Sequence, residues 1–421
     1  MNVLRMLFGL ILILFFSTSL SAQKQIPITT DSEEARTYLA RAIHALEQFD
    51  NQRTREWAKK AVEADPDFAF GHMLLAMVSS RSQRQTTLDW AEELAAKATR
   101  GEHLFLKGLK AYYFNDRRKA LDLFTQLHRE FPDDRLVIMM IGIIQMELGN
   151  DDAAIEAFQQ ANQLDDRTPR ADALIAQCYI MKGEFEKARQ FYKRSLTKID
   201  KNATPFPPFF GLSWTYLYQN QPDSALSVQM EYLDRYNRNG AAQGFPPVWI
   251  WNQMARIQLE AANRPQVAYE YYEKGYESVP PSGLDSTQKQ LWYGRLLHGK
   301  ARSLAKMGRT DEAWQIAERI KEMLETAGEQ GNRYWPAYYY LAGYIKLEAG
   351  ALREAIRLLE QASLRDPFQK MLLARAAYRS GDRERALKLY REITEYRNNN
   401  VERALSYPEA VKMIRELSSN N

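Results

Sequence analysis

At 421 residues the chain has room for two or three globular domains or one long repeat array. Hydrophobic residues at 45% and aromatics at 12% supply ample core, which excludes disorder away from the ends. The 57 Lys and Arg nearly balance 53 Asp and Glu, and a net charge of +4 argues against a polyanion partner or an acidic substrate. The first predicted element is a targeting segment. Arg5 precedes an apolar run from Met6 to Phe16, and Ser17 to Ala22 is small and polar. This is the layout of a secretory signal over residues 1–22, and the run is shorter than the roughly 17–25 residues of a membrane span.

The Ser21-Ala22-Gln23 junction resembles those of exported bacterial proteins, and the lack of a cysteine there excludes a lipoprotein anchor. The mature protein is expected to be soluble, periplasmic or secreted, with no stable membrane insertion. A polar leader over 23–34 is expected to be loosely held. Helical periodicity begins at Ala35, and Asp65-Pro66 closes a first pair of amphipathic runs. Residues 69–102 form a weaker copy.

From Gly101 to Asn202 three equal segments superimpose. Small residues recur in the first run (Gly108, Gly142, Ala176) and at the start of the second (Ala120, Ala154, Ala188). Phe124, Phe158 and Tyr192 follow at a common place, and acidic or Pro residues close each segment. Each segment predicts two helices and a tight turn, with small residues allowing close axial approach and a ring filling the space beside them. One such pair cannot bury its own apolar face, so its neighbours must complete it.

The small-residue marker continues at Ala225, Ala313, Ala355 and Ala386, with Gly343 in a later first helix, but the spacing lengthens. Three junctions there combine Pro with aromatics, around Phe206, Trp249 and Trp335. They read as lengthened approaches to the next first helix, where Pro fits the first turn. A further helix, about Pro408 to Leu417, is expected to cover the open end of the stack.

Together these markers resemble the tetratricopeptide repeat. The resemblance implies an all-α, right-handed superhelical solenoid of antiparallel helix pairs, about ten repeats plus the C-terminal capping helix. The arrays are placed at 35–204 and 205–400, with the cap and a polar tail at 401–421. In the family, first helices line a concave groove that binds protein partners. Carried over to this chain, the wall is Phe105, Leu109, Tyr112, Met139, Ile143, Phe210, Trp214, Tyr340 and Tyr344. The Lys and Asn pair with which some relatives grip a terminal carboxylate is missing from these positions.

Little in the chain suggests catalysis. The five histidines show no zinc-hydrolase spacing, and there is no nucleophile elbow, phosphate loop or dinucleotide fingerprint. Asp133-Asp134, Asp151-Asp152 and Asp165-Asp166 lie where Asp caps helices, so no metal is expected. Cys178, the single cysteine, reads as a packed small hydrophobe. The expectation is a non-enzymatic scaffold without cofactor that holds a protein or peptide, with nucleic acid disfavoured. The alternative is a receptor for a glycan or other small ligand, using the Pro-aromatic junctions.

Overall fold

The computed structural model describes residues 25–95, 97–114, 116–239 and 245–419, so the expected signal segment lies outside it. It divides into two compact units, with the division between Arg167 and Thr168. That division falls inside the run of three equal segments, 37 residues before the boundary expected at 204/205.

The first unit holds α1 (Glu33–Glu47), α2 (Asn51–Ala64), α3 (Ala69–Met77) and α4 (Arg81–Ala95). It continues with α5 (Arg100–Tyr113), α6 (Arg117–Glu130), α7 (Arg135–Leu148) and α8 (Asp151–Leu164). The second unit opens with α9 (Arg170–Met181), α10 (Phe185–Thr197), α11 (Phe206–Leu217), α12 (Pro222–Asn239), α13 (Val248–Arg256) and α14 (Pro265–Glu277). Then come α15 (Ser286–Lys306), α16 (Thr310–Ala327), α17 (Trp335–Glu348), α18 (Leu352–Leu359), α19 (Pro367–Arg379), α20 (Arg383–Thr394) and α21 (Val401–Ser418). Helices α1 to α20 make ten successive pairs, so the all-α helical-repeat fold read from the periodicity is the fold observed.

Local chemistry sets the ends. Asp50, Asp116, Asp134 and Asp382 each accept the backbone N–H three residues on and so cap α2, α6, α7 and α20. Gly149 ends α7 at φ +87°, a left-handed geometry that suits glycine. Pro lies in the first turn of α11 and α17, as the junction reading requires, and also of α19, whereas at the Trp249 junction Pro247 stands just before α13.

The small residues meet rings as the spacing predicts. A Cβ on Gly108 would lie 2.8 Å from Phe124, and one on Gly142 would collide with Phe158. Ala120, Ala154, Ala176, Ala188, Ala225, Ala313, Ala355 and Ala386 are buried, as are Gly108, Gly142 and Gly343. In the second unit the ring at some first helices comes from the preceding pair: Tyr192 abuts Gly211, and Tyr272 abuts Gly299. One core cluster in the first unit runs unbroken from Ile26 to Ile144, so no pair there has a private core. Cys178 is fully buried.

Three features depart from the reading. Leader residues 26–30 are held firmly. The Ile26 N–H donates to Asp134 at 3.1 Å, the Thr29 N–H to Glu102 at 3.0 Å, and the Thr30 hydroxyl to Asp65. These acceptors stand at successive junctions between pairs, so the leader satisfies polar groups that side by side neighbours leave open. The second departure is a single π-helical turn, Ile257–Ala261, continuing α13. Third, α21 begins at Val401 because the Asn400 side chain caps it, and Pro408 sits inside it. It packs on α19 and α20 and also reaches α11 and the π-helical turn, so it is more than an end cap.

Candidate functional site

In the first unit, the expected wall residues come from α5 and α7. Phe105, Leu109 and Met139 are buried, and the Phe105 ring lies 5.1 Å from Phe70 and 5.3 Å from Phe124. Phe105 and Leu109 belong to the seam that joins neighbouring pairs. Tyr112 and Ile143 are half-buried, together with Met146, which stands 34 residues after Tyr112 at the equivalent place. The Tyr112 hydroxyl donates to Glu147 at 2.5 Å, and the Arg117 guanidinium lies 4.2 Å over its ring while pairing with Glu147. Burial, then the Glu147 hydrogen bond, pushes the Tyr112 hydroxyl well above its ordinary range. The open part of this wall is therefore an oriented ring with an acid and a base at its edge, beside aliphatic and thioether surface.

In the second unit, the four expected wall residues are all buried. Phe210 and Trp214 join a cluster with Phe206, Tyr232 and Trp249, with Phe206 and Phe210 stacked at 4.3 Å. Two of the Pro-aromatic junctions thus come together, since Phe206 and Trp249 lie 5.4 Å apart. Trp335 instead packs on Tyr338 and Tyr339. Phe206 remains 37% exposed, the most open ring of its cluster.

Tyr340 and Tyr344 enter a buried polar network that the chain's periodicity did not announce. Arg302 donates to Tyr340 at 3.0 Å and to Tyr272 at 2.8 Å, and pairs with Glu260 at 3.2 Å. Glu260 also takes Lys306 at 3.6 Å and the Tyr344 hydroxyl at 3.2 Å. The π-helical turn carries Glu260, and the extra residue in that turn rotates the following side chains from their α-helical direction. Beside the network, burial and then the Arg302 charge push the His298 imidazole down to about 3. No group of three or more potential metal ligands occurs among the described residues.

Models of the tetratricopeptide repeat match residues 113–177, 152–203 and 340–400. A TPR repeat-containing protein, YpiA of Bacillus subtilis, is 21% identical over 302 residues, covering 68% of this chain and 69% of its own. The type IV pilus assembly protein PilF of Pseudomonas aeruginosa is 22% identical over 175 residues, 40% of this chain and 69% of its own. Among solved structures, yeast Tom70 is similar at a TM-score of 0.44 and 13% identity, over 92% of this chain and 89% of that one.

Proposed function

We propose, from the premise that this chain is a tetratricopeptide-repeat protein, that it is an exported, non-catalytic scaffold holding a protein or peptide partner. The contact face we assign first is the open part of α5 and α7, where Tyr112, Ile143 and Met146 stand in register on successive pairs. That half-open aromatic and thioether strip is the observation that carries the reading. Rings and thioethers at helical spacing suit an amphipathic helix or an extended apolar peptide. Glu147 and Arg117 at its rim supply polar orientation. The remaining wall residues are buried within their own units, so Trp214→Ala or Tyr344→Ala tests folding and leaves binding unaddressed.

The test is affinity capture from the native host's envelope fraction with the full chain and with Tyr112→Ala plus Ile143→Asp. The expected result is unchanged helicity and loss of the captured partner. Capture undiminished by both substitutions would remove the strip from the site. A second reading, a receptor for a glycan or other small ligand, draws on the exposed Phe206 ring beside Trp249. It predicts a tryptophan fluorescence change with oligosaccharides and none with peptides.

A further inference from the structure

The chain from Tyr396 to Tyr407 makes contacts unlike those of the rest of its helix. The Tyr218 hydroxyl donates to the Asn399 side-chain Oδ1 at 3.0 Å, and the Asn399 Nδ2 donates to the Tyr192 hydroxyl at 3.3 Å. Glu402 pairs with Arg256 at the end of α13. Tyr407 sets its ring edge-on against the stacked pair of Phe185 and Tyr218, at 6.1 and 5.6 Å. All these partners are distant in sequence and belong to α10, α13 and the C-terminal cap of α11. Leu405 touches the core that α15 to α20 share from its edge, and beyond Pro408 Ala410 and Leu417 are buried within that core.

Two observations mark the front half as separable. Pro408 has no N–H, so the helix lacks a backbone hydrogen bond where the distant and local contacts meet. Arg403 is 2% exposed, yet no ion pair among the described residues includes it, and its Nη1 has no hydrogen-bond partner. It rests on the faces of Tyr218 and Tyr407 and donates through Nε to the Tyr396 carbonyl. A buried guanidinium without a carboxylate weakens the docked state.

We propose that residues 396–407 are a built-in occupant of a peptide site formed by Tyr192, Tyr218, Phe185 and Arg256, and that a partner enters by displacing them. The partner is a protein segment with an asparagine one residue before a helix cap, a carboxylate three residues on from it and an aromatic ring eight residues on. Its chemistry is read from Asn399, Glu402 and Tyr407: an amide between two phenols, an acid for Arg256, an edge for the stacked rings. Residues 409–418 stay in place, so the site opens as a flap held at both ends. The partner's nature rests on the scaffold reading above, whereas the lifting of the flap does not. The Tyr112 capture experiment addresses the first unit alone, so either result can fail without the other.

Hydrogen exchange on the unmodified full chain should show residues 396–407 exchanging at least about tenfold faster than 409–418 and α19. Equal protection on both sides of Pro408 would overturn the proposal. In the full chain carrying Glu402→Arg and Tyr407→Ala, a labelled peptide of residues 396–410 should bind at least about tenfold tighter than to the unmodified chain. Adding Arg256→Gln should remove that gain. Equal binding by both chains overturns the site. Dimerisation of the loosened chain without peptide binding would assign the site to a second copy and overturn the partner. If the loosened chain fails to fold, the exchange result on the unmodified chain decides.

Discussion

Gly142 shows how one side chain can set the distance between two helices. Phe158 occupies the space a Cβ would need, so Gly142→Ala should cost about 1–3 kcal/mol, read as a shift in urea midpoint. Glu260 acts by charge. Its carboxylate serves Arg302, Lys306 and Tyr344 at once, and it is 2% exposed, so Glu260→Gln leaves a buried guanidinium without its counter-ion. A loss of roughly 3–5 kcal/mol is expected, and an unchanged unfolding midpoint would show the network to be dispensable. His298 adds a pH dependence. It faces Arg302, Arg256, Tyr340 and the Ala337 carbonyl, and its imidazole is held down to about 3 from a usual 6.5. Between those values the unfolded chain takes the proton and the folded chain does not, so stability falls as pH drops from 7 toward 3. Unfolding midpoints measured at pH 7 and 5 should differ less in His298→Gln than in the unmodified chain.

At the scale of elements, the leader and α21 act on their units in different ways. Residues 26–30 strap several pairs of the first unit together through Asp134, Glu102 and Asp65. Glu102 also completes the capping box of α5 with Thr99 and is fully buried, so Glu102→Gln disturbs the strap and the helix start together. Thr29→Val is the narrower change: it removes the 2.6 Å hydroxyl bond to Glu102 and the 3.3 Å acceptance of the Thr99 N–H, and leaves the Glu102 carboxylate and the Thr99 hydroxyl of the capping box in place. It should speed exchange of residues 26–30 several-fold while α5 keeps its protection. Helix α21 divides at Pro408 into a distant-contact half and a core half. Neither the strap nor the docking of the front half of α21 is visible in an amphipathic pattern, because the deciding contacts lie 35 to 181 positions away along the chain.

At the scale of the molecule, each unit completes its core through neighbouring pairs, as stacked helical hairpins must. A chain built this way offers a long row of side chains to a partner, which is why a scaffold is the reading we favour. No helix of the described residues is long and apolar enough to cross a membrane. The exported setting we propose is tested through residues 1–22: Leu12→Arg interrupts the apolar run, and fractionation should then find the chain retained in the cytoplasm. Equal distribution of both chains would end that part of the reading.

Periodicity alone determined the helix pairs, the small residues at their crossings and the proline starts, because these depend on spacing along one or two helices. The family resemblance, carried over on that periodicity, implied a wall that included Phe105, Met139, Phe210 and Tyr344, and all four are buried. A ring one step round a helix can face a partner or the next pair, and spacing does not separate the two. Only the tertiary structure decided between them, since it alone brings Glu260 to Arg302 and Asn399 to Tyr192. Burial of a charge or an amide is set by what arrives from elsewhere in the chain, and no local pattern records that arrival.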